Sequence, residues 1–439
     1  MSKLIQPRTL KGFRDFSPEK MRVRKYLIGV LGHVFEQYGF QPMDTPVMEY
    51  ADILEGKYGA EGEQLMYKFV DHGERRVAMR YDLTIPFARF MAMNQQIPLP
   101  FRRYHISPVW RADNPQHGRF REFWQCDVDI AGASSYLADV ELLSLAYDVF
   151  SALRLQGFVI RINDRRVLNG LLHCFSFAED EYGEVLRIVD KLDKIGVEGV
   201  AKEMAGKGFS SDHVSAFLAL LTMNLSADET IVMLRDKLAE NAVAMQGLED
   251  LSKIFSLLKK KSRGPGFFSL DLSLARGLSY YDGTIFEAVV EKPKIGSVLG
   301  GGRYNGLIGM FSGKSIPAVG LSFGFERLVA VLEELELVPT SIQGTTVLVT
   351  IFSAELAHYS IEVAEELRKA GIATEIYPAD GAKLGKQFEY ADKLHIPIAI
   401  VAGPDEAAQN RVTVKALGTG NQEVVEIVEL VKKVREMLR

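Results

Sequence analysis

Six consecutive residues, Gln125-Cys126-Asp127-Val128-Asp129-Ile130, constrain this chain more than any other feature, because polar and apolar side chains alternate along them. Successive side chains of a strand point to opposite faces. As a strand, the run has one apolar face and one face carrying an amide and two carboxylates side by side. Acids left unpaired on a central strand are costly unless they meet a cation. The pattern therefore predicts a strand that borders a cleft built for a cationic ligand.

The run is the return arm of a predicted hairpin. Arg103–Arg111 and Phe120–Ile130 read as strands, and the polar stretch Ala112–Arg119 joins them. Arg111, Arg119 and Arg121 cluster on this element. Taken alone, a charged hairpin reads equally well as a solvated sheet edge.

Upstream, Pro18–Tyr38 carries apolar Val23, Leu27, Val30, Leu31 and Val34 at helical spacing, with Gly39 at the C-cap position. Arg76–Tyr81 reads as a strand, with Asp82 or Thr84 capping a helix through Phe87 and Met91. Residues 136–154 read as a helix. Residues of about 170–260 read as a helical insertion rich in Lys, Glu and Leu. Strand chemistry resumes at Phe267–Leu272 and Leu278–Val290, and Gly300-Gly301-Gly302 permits close backbone approach before Arg303-Tyr304. Val319–Leu328 reads as strand then helix, and Glu334–Thr345 as a linker. Beyond it, strands at 346–352, 373–377, 397–402 and 411–416 alternate with helices at 356–370, 384–394 and 424–437, which predicts a small α/β domain.

Length bounds the organisation. At roughly 100–200 residues per domain, 439 residues imply two to four domains. No window approaches the ~18 uninterrupted apolar residues of a membrane span, and the first twenty residues have no apolar core for export. Two cysteines, Cys126 and Cys174, cannot build a disulfide framework, so a reduced, cytoplasmic setting is the expectation. Eight scattered histidines give no zinc pattern, and no serine elbow is present, so no metal site is expected. The net charge of −5 averages over 52 basic and 57 acidic residues and can hide a local basic surface. The tyrosine pair Tyr280-Tyr281 reads by itself as core, and Arg327 as an ion-paired residue at a helix start.

Together, Gly39–Tyr50, Arg80-Tyr81-Asp82-Leu83-Thr84, the Arg111–Asp129 hairpin, Leu274–Glu287, Gly300–Leu307 and Gly320–Leu328 resemble the class II aminoacyl-tRNA synthetases, and more narrowly the histidyl-tRNA synthetase family. The resemblance covers nearly the whole chain. Ala275-Arg276-Gly277-Leu278-Ser279-Tyr280-Tyr281, followed by Gly300-Gly301-Gly302-Arg303-Tyr304-Asn305-Gly306-Leu307, is similar to the histidine-specific signature of that family. Asn163-Asp164-Arg165-Arg166 and Asp190–Lys194 resemble the type close to eukaryotic forms.

The resemblance implies an α+β catalytic domain with an antiparallel sheet (the class II synthetase fold) over residues 1–335, with the helical insertion at about 170–260. It implies a C-terminal α/β anticodon-binding domain over 343–439. It implies that ATP, as its Mg²⁺ complex, is bound by Arg111, Arg119, Arg121 and Arg327, and that Arg276 and Arg111 are catalytic. A guanidinium suits that work because it is planar, always charged and bidentate towards phosphate. Asp82, Thr84, Gln125, Asp129, Tyr280, Tyr281 and Tyr304 are the implied histidine-binding residues. Lys383, Lys386, Gln387, Arg411 and Lys415 are the implied tRNA contacts of the last domain, with Lys191, Lys194, Lys202 and Lys207 as candidates in the insertion. The implied partners are histidine, ATP, tRNA(His) and a second copy of the chain, the dimer interface being built around Gly39–Tyr50. Ser279 stands where the family usually has Asp, and Asp82 where many bacterial forms have Glu. The alternative is a non-catalytic, histidine-sensing paralogue, a regulatory subunit of ATP phosphoribosyltransferase. That protein generally lacks the anticodon-binding domain and tends to lose catalytic arginines.

Overall fold

The computed structural model describes residues 5–115, 118–261, 266–275, 280–339, 342, 344–379 and 381–438. The chain divides into two compact units, Met1–Asp15 with Arg24–Val338 and Phe16–Val23 with Pro339–Arg439.

The first unit is built on an eight-stranded sheet. Across it the strands run Gln41–Pro42, Phe101–Trp110, Glu122–Ala131, Ala318–Phe323, Ser297–Arg303, Thr284–Val290, Phe158–Asp164 and Phe268–Leu270. All inner pairings are antiparallel, and the two outermost are parallel, so the sheet is mixed only at its edges. The strand Glu122–Ala131 lies inside the sheet, and the predicted alternation holds. Cys126, Val128 and Ile130 are buried in one core with Leu27, Leu31, Val34 and Phe35 of the helix Pro18–Gln37 and with Leu142, Leu145 and Val149 of the helix Leu137–Ala152.

The insertion contains the helices Tyr182–Val189, Leu192–Gly206, Ser211–Leu221, Ala227–Leu238 and Ala242–Lys261. Their buried faces, including Val185, Phe217, Leu234 and Leu251, join the same apolar cluster as the sheet. The insertion thus shares its core with the eight-stranded sheet.

The second unit holds a five-stranded sheet in the order Thr374–Ile376, Val347–Val349, Ile398–Val401, Arg411–Ala416 and Gln422–Glu426. The first three strands are parallel and the last two antiparallel. Two elements depart from expectation: a short helix, Pro404–Ala408, lies between the strands expected at 397–402 and 411–416, and the last helix starts late. The predicted helix 424–437 begins only at Ile427, because Val424 and Val425 pair as strand with Thr413 and Val412. Two adjacent β-branched residues favour that extended pairing.

Candidate active site

Register explains the site. Residues directly opposite one another across a sheet share a face. Arg103, Asp129, Gly320 and Gly302 form one such row, and His105, Asp127, Ser322, Gly300 and Glu287 the next. One face of the central sheet is therefore polar and acidic on one side and bare of side chains in the middle. The bareness is required. A Cβ on Gly320 would lie 2.0 Å from Asp129 Oδ1, and one on Gly302 would lie 2.6 Å from the Thr284 carbonyl oxygen. A methyl group on Gly300 would meet nothing within 4 Å, so the surface there is open.

The acidic end is buried. Asp82, Asp127 and Asp129 are each 2% exposed or less. Asp129 accepts a hydrogen bond from the Tyr304 hydroxyl, and its other oxygen lies 2.7 Å from the guanidinium of Arg103. That ion pair is close but poorly aligned, since Asp129 Oδ2 has no hydrogen bond of good geometry. Asp82 accepts from Tyr58 Oη at 2.9 Å and from the Ile85 amide at 3.0 Å. Asp82 thereby supplies the predicted cap for the helix Thr84–Met93, while Thr84 donates to Asp127 at 3.4 Å. Asp82 Oδ2 and Asp127 Oδ1 are buried without a partner. Buried acceptors of this kind are costly unless a donor or cation meets them.

Burial pushes the Asp127 carboxyl up to about 7, with Arg103 opposing and Asp129 adding to the rise. Burial likewise raises Asp129, against Arg103 and Tyr304. Asp82 is raised by burial, against the Ile85 amide and Arg111. The three acids are thus poised to be fixed in the ionised form by a cation. Tyr280 and Tyr281 wall this end, with ring centroids 5.1 Å apart, and Tyr280 lies 6.0 Å from Tyr304.

The other end is cationic. A cavity of about 240 Å³ is lined by Arg111, Arg119 and Arg327, by Phe123, and by the bare floor at Gly300 and Ser322. Arg111 donates to the Tyr81 carbonyl at 3.0 Å and to Gln125 Oε1 at 3.4 Å, and its guanidinium stacks 4.4 Å from the Tyr81 ring centroid. Gln125 also donates to Ser322 Oγ at 3.3 Å. Arg111 and Gln125 therefore stand where the acidic and cationic ends meet. Arg327 donates to the Ser297 carbonyl at 2.5 Å. Its helix, Phe325–Glu334, is fastened through Glu326, which accepts from Arg14 at 2.8 Å and from Arg24 at 2.9 and 3.0 Å. Burial works to raise the Glu326 carboxyl, and the two arginines overcome it and leave it below the usual range. Arg119 is largely exposed, 3.8 Å from Asp113. Arg121 donates to the carbonyls of Asp113 and Lys11 and does not line the cavity.

Arg276 and Ser279 lie outside the described residues, while Ala275 and Tyr280 on either side are described. Arg103 and Tyr58 are site groups that sequence reasoning missed, while Asp127 was read as one of the two carboxylates of the cleft and given no separate role. The signal for Arg103 was its own alternation, Arg103-x-His105-x-Ser107, which the hairpin sets opposite Asp129, Asp127 and Gln125.

In the second unit, Lys383 and Lys386 are exposed on the helix Leu384–Lys393 and its start. Arg411 pairs with Glu426 at 3.4 Å, and Lys415 lies 4.7 Å over the Phe388 ring. Gln387, expected on the RNA-facing surface, is fully buried and spends its amide on Ile351 and on the Ala382 carbonyl. It is a structural tie and leaves that surface. In the insertion, Lys191 pairs with Glu203 at 2.5 Å and Lys207 with Glu184 at 2.8 Å, while Lys194 and Lys202 are exposed. Among the described residues, no group of three His, Cys, Asp or Glu is arranged to hold a metal ion, and no helix is long and apolar enough to cross a membrane.

Comparison with known proteins agrees with this geometry. The family model described as Histidyl-tRNA synthetase matches residues 12–328, and the one described as Anticodon binding domain matches residues 346–437. A histidine–tRNA ligase of Cytophaga hutchinsonii is 40% identical over 98% of this chain and 99% of its own length. One of Aeropyrum pernix is 41% identical over 99% of each. The crystal structure of histidyl-tRNA synthetase from Nostoc sp. PCC 7120 superposes with a TM-score of 0.87 at 31% identity, covering 99% of this chain and 100% of that one. A sheet face with an acidic end and a cationic end, matched along its whole length to such relatives, has one consistent assignment: the chain belongs to the histidyl-tRNA synthetase family.

Proposed function

We infer that the chain is an ATP-dependent histidine–tRNA ligase. It activates histidine with ATP to histidyl-adenylate and pyrophosphate, then transfers histidine to the 3′-terminal adenosine of tRNA(His). The observation that carries this reading is the meeting of the two ends at Arg111 and Gln125. The α-ammonium and imidazole belong at the acidic end, on Asp82, Thr84, Gln125 and Asp129, with Tyr280, Tyr281 and Tyr304 around the ring. A carboxylate and hydroxyls satisfy ring N–H groups and leave a purely apolar side chain with unpaired partners, which is a strong basis for rejection.

The triphosphate belongs at the cationic end, bent over the bare floor at Gly300, with Arg327 and Arg119 on its outer phosphates. Arg121 holds the loop beside them. ATP enters as its magnesium complex, which neutralises departing pyrophosphate. The histidine carboxylate then sits beside the α-phosphorus, where Arg111 and Arg276 stabilise charge on the in-line transition state. Such a step depends chiefly on positioning and electrostatics.

We assign residues 1–335 to the catalytic core and 343–439 to anticodon binding, with Lys383, Lys386, Arg411 and Lys415 towards RNA. A homodimer is supported by exposed Met48, Tyr50 and Met93, which line one shared hollow, because contiguous exposed apolar surface marks an interface. A cytoplasmic location fits two free cysteines, one buried and one exposed. The sensing paralogue is disfavoured, because the C-terminal domain is present and full-length relatives are histidine–tRNA ligases. Histidine-dependent ATP–pyrophosphate exchange tests the reading. Exchange with histidine and with no other amino acid is expected, and none with histidine refutes it.

A further inference from the structure

The residue before Tyr304 turns away from the site. Successive side chains of a strand alternate between faces, so Gly302 belongs to the site face and Arg303 to the face covered by the helix Leu137–Ala152. There Arg303 meets Asp139 of that helix. Its Nε donates to Asp139 Oδ2 at 3.0 Å, and a terminal nitrogen donates to the same oxygen at 2.5 Å. The Thr284 hydroxyl donates to the other oxygen of Asp139. Arg303 also donates to the carbonyls of Ala133 at 2.8 Å and Ser135 at 2.6 Å. Arg303, Asp139 and Thr284 are each 5% exposed or less.

These bonds tie together three segments of chain. Ala133 and Ser135 follow the strand that carries Asp129. Thr284 follows Tyr281 closely, and the amide of Asp282 between them donates to the Arg303 carbonyl at 3.0 Å. Asp282 Oδ1 in turn accepts from the Asn305 amide at 3.2 Å and from Asn305 Nδ2 at 2.8 Å. The chain is thus pinned on both sides of Tyr304, whose hydroxyl donates to Asp129. Asp129, Tyr281 and Tyr304 come from separate stretches of sequence and are held in one frame from behind the sheet. A guanidinium suits that place, because its planar fork of five donors serves a carboxylate and two carbonyls at once.

We propose that Arg303, clamped by Asp139 and Thr284 behind the sheet, is a positioning residue that fixes the spacing of Asp129, Tyr281 and Tyr304 and so sets the affinity for the imidazole without touching it. The proposal rests on the reading of the acidic end as the histidine pocket. It gives the helix Leu137–Ala152 a part in amino-acid recognition, exerted through Asp139 from the far side of the sheet.

Steady-state ATP–pyrophosphate exchange on the full-length enzyme, with histidine and ATP varied in turn, tests it. Asp139→Asn keeps the shape of the side chain and one acceptor oxygen. It should raise KM for histidine roughly tenfold, about the worth of one hydrogen bond, with KM for ATP changed less than about twofold and kcat less than about threefold. Thr284→Val, a milder change, should raise KM for histidine about threefold. Arg303→Lys, which keeps the charge but cannot span a carboxylate and two carbonyls, should raise it more than Asp139→Asn does. Added to Tyr304→Phe, Asp139→Asn should cause a smaller rise than in the unmodified chain, because part of its effect passes through the missing hydroxyl. Equal rises in both KM values, or full additivity with Tyr304→Phe, reduce the clamp to general support of the fold and overturn the proposal. An unchanged KM for histidine in Thr284→Val overturns it even if the other two variants fail to fold. Absence of exchange in the unmodified chain overturns the ligase reading and this proposal with it, which separates the two failures.

Discussion

Replacing Arg103 by methionine isolates the charge that underlies the acidic end. Methionine fills much of the aliphatic stem and removes the guanidinium. Arg103 is fully buried, 2.7 Å from Asp129, bonded to the Leu83 carbonyl at 3.2 Å and 4.5 Å over the Phe87 ring. Breaking a buried pair from one side costs about 3–5 kcal/mol. Protonation sets a ceiling, because a carboxyl of ordinary pKa near 3.9 is neutralised at pH 7 for about 4 kcal/mol at ~1.36 kcal/mol per unit. The expected loss at pH 7 is therefore about 3–4 kcal/mol. The sign follows from linkage. In the variant the folded-state pKa of Asp129 rises further above its unfolded value, so the penalty is absent below the ordinary carboxylate range and grows as pH rises towards the raised pKa. The loss should shrink by up to about 1.4 kcal/mol per pH unit between pH 7 and pH 5. Urea unfolding followed by tryptophan fluorescence measures it, because both tryptophans, Trp110 and Trp124, lie in the hairpin and report on this unit alone. Asp129→Asn in the same chain should restore most of the stability while histidine binding stays lost. A loss under about 1 kcal/mol at pH 7, or one equal at pH 5 and pH 8, refutes the argument.

Three further outcomes are expected. Gly301→Ala should destabilise the first unit by about 3 kcal/mol or more in the same urea assay, since the clash is with backbone, whereas Gly300→Ala should unfold normally and raise KM for ATP. Binding of histidine at pH 7 should release part of a proton as its ammonium holds Asp127 ionised. Calorimetry in buffers of different ionisation enthalpy should show that release falling in Asp127→Asn. Met48→Glu combined with Met93→Glu should convert dimers to monomers by light scattering, and an unchanged mass would remove that face as the interface.

What could be read from the sequence was what is local. Alternation at Gln125–Ile130 needs no partner to be recognised, and it located the acidic end. Arg103 was overlooked because its meaning depends on register with Asp129, far along the chain on the other arm of the hairpin. The glycine triplet was noticed as a place of close approach, but not that its members differ: Gly301 faces a neighbouring backbone and Gly300 faces open space. Gln387 has the composition of a surface residue, and nothing local shows that its amide meets backbone groups. The end of the strand Gln422–Glu426, from Val424 on, was read as helix because Val424 and Val425 suit either pattern until Val412 and Thr413 pair with them.

The strand Glu122–Ala131 is at once a wall of the hydrophobic core and a floor of the candidate site. Its two jobs are written in one reading frame. A single inserted or deleted residue within it would turn the carboxylates into the core and Cys126, Val128 and Ile130 into the pocket. Foldability and activity would fail in the same step. This stretch can therefore diverge only by exchange of one side chain for another at fixed length, with changes in length confined to its two ends.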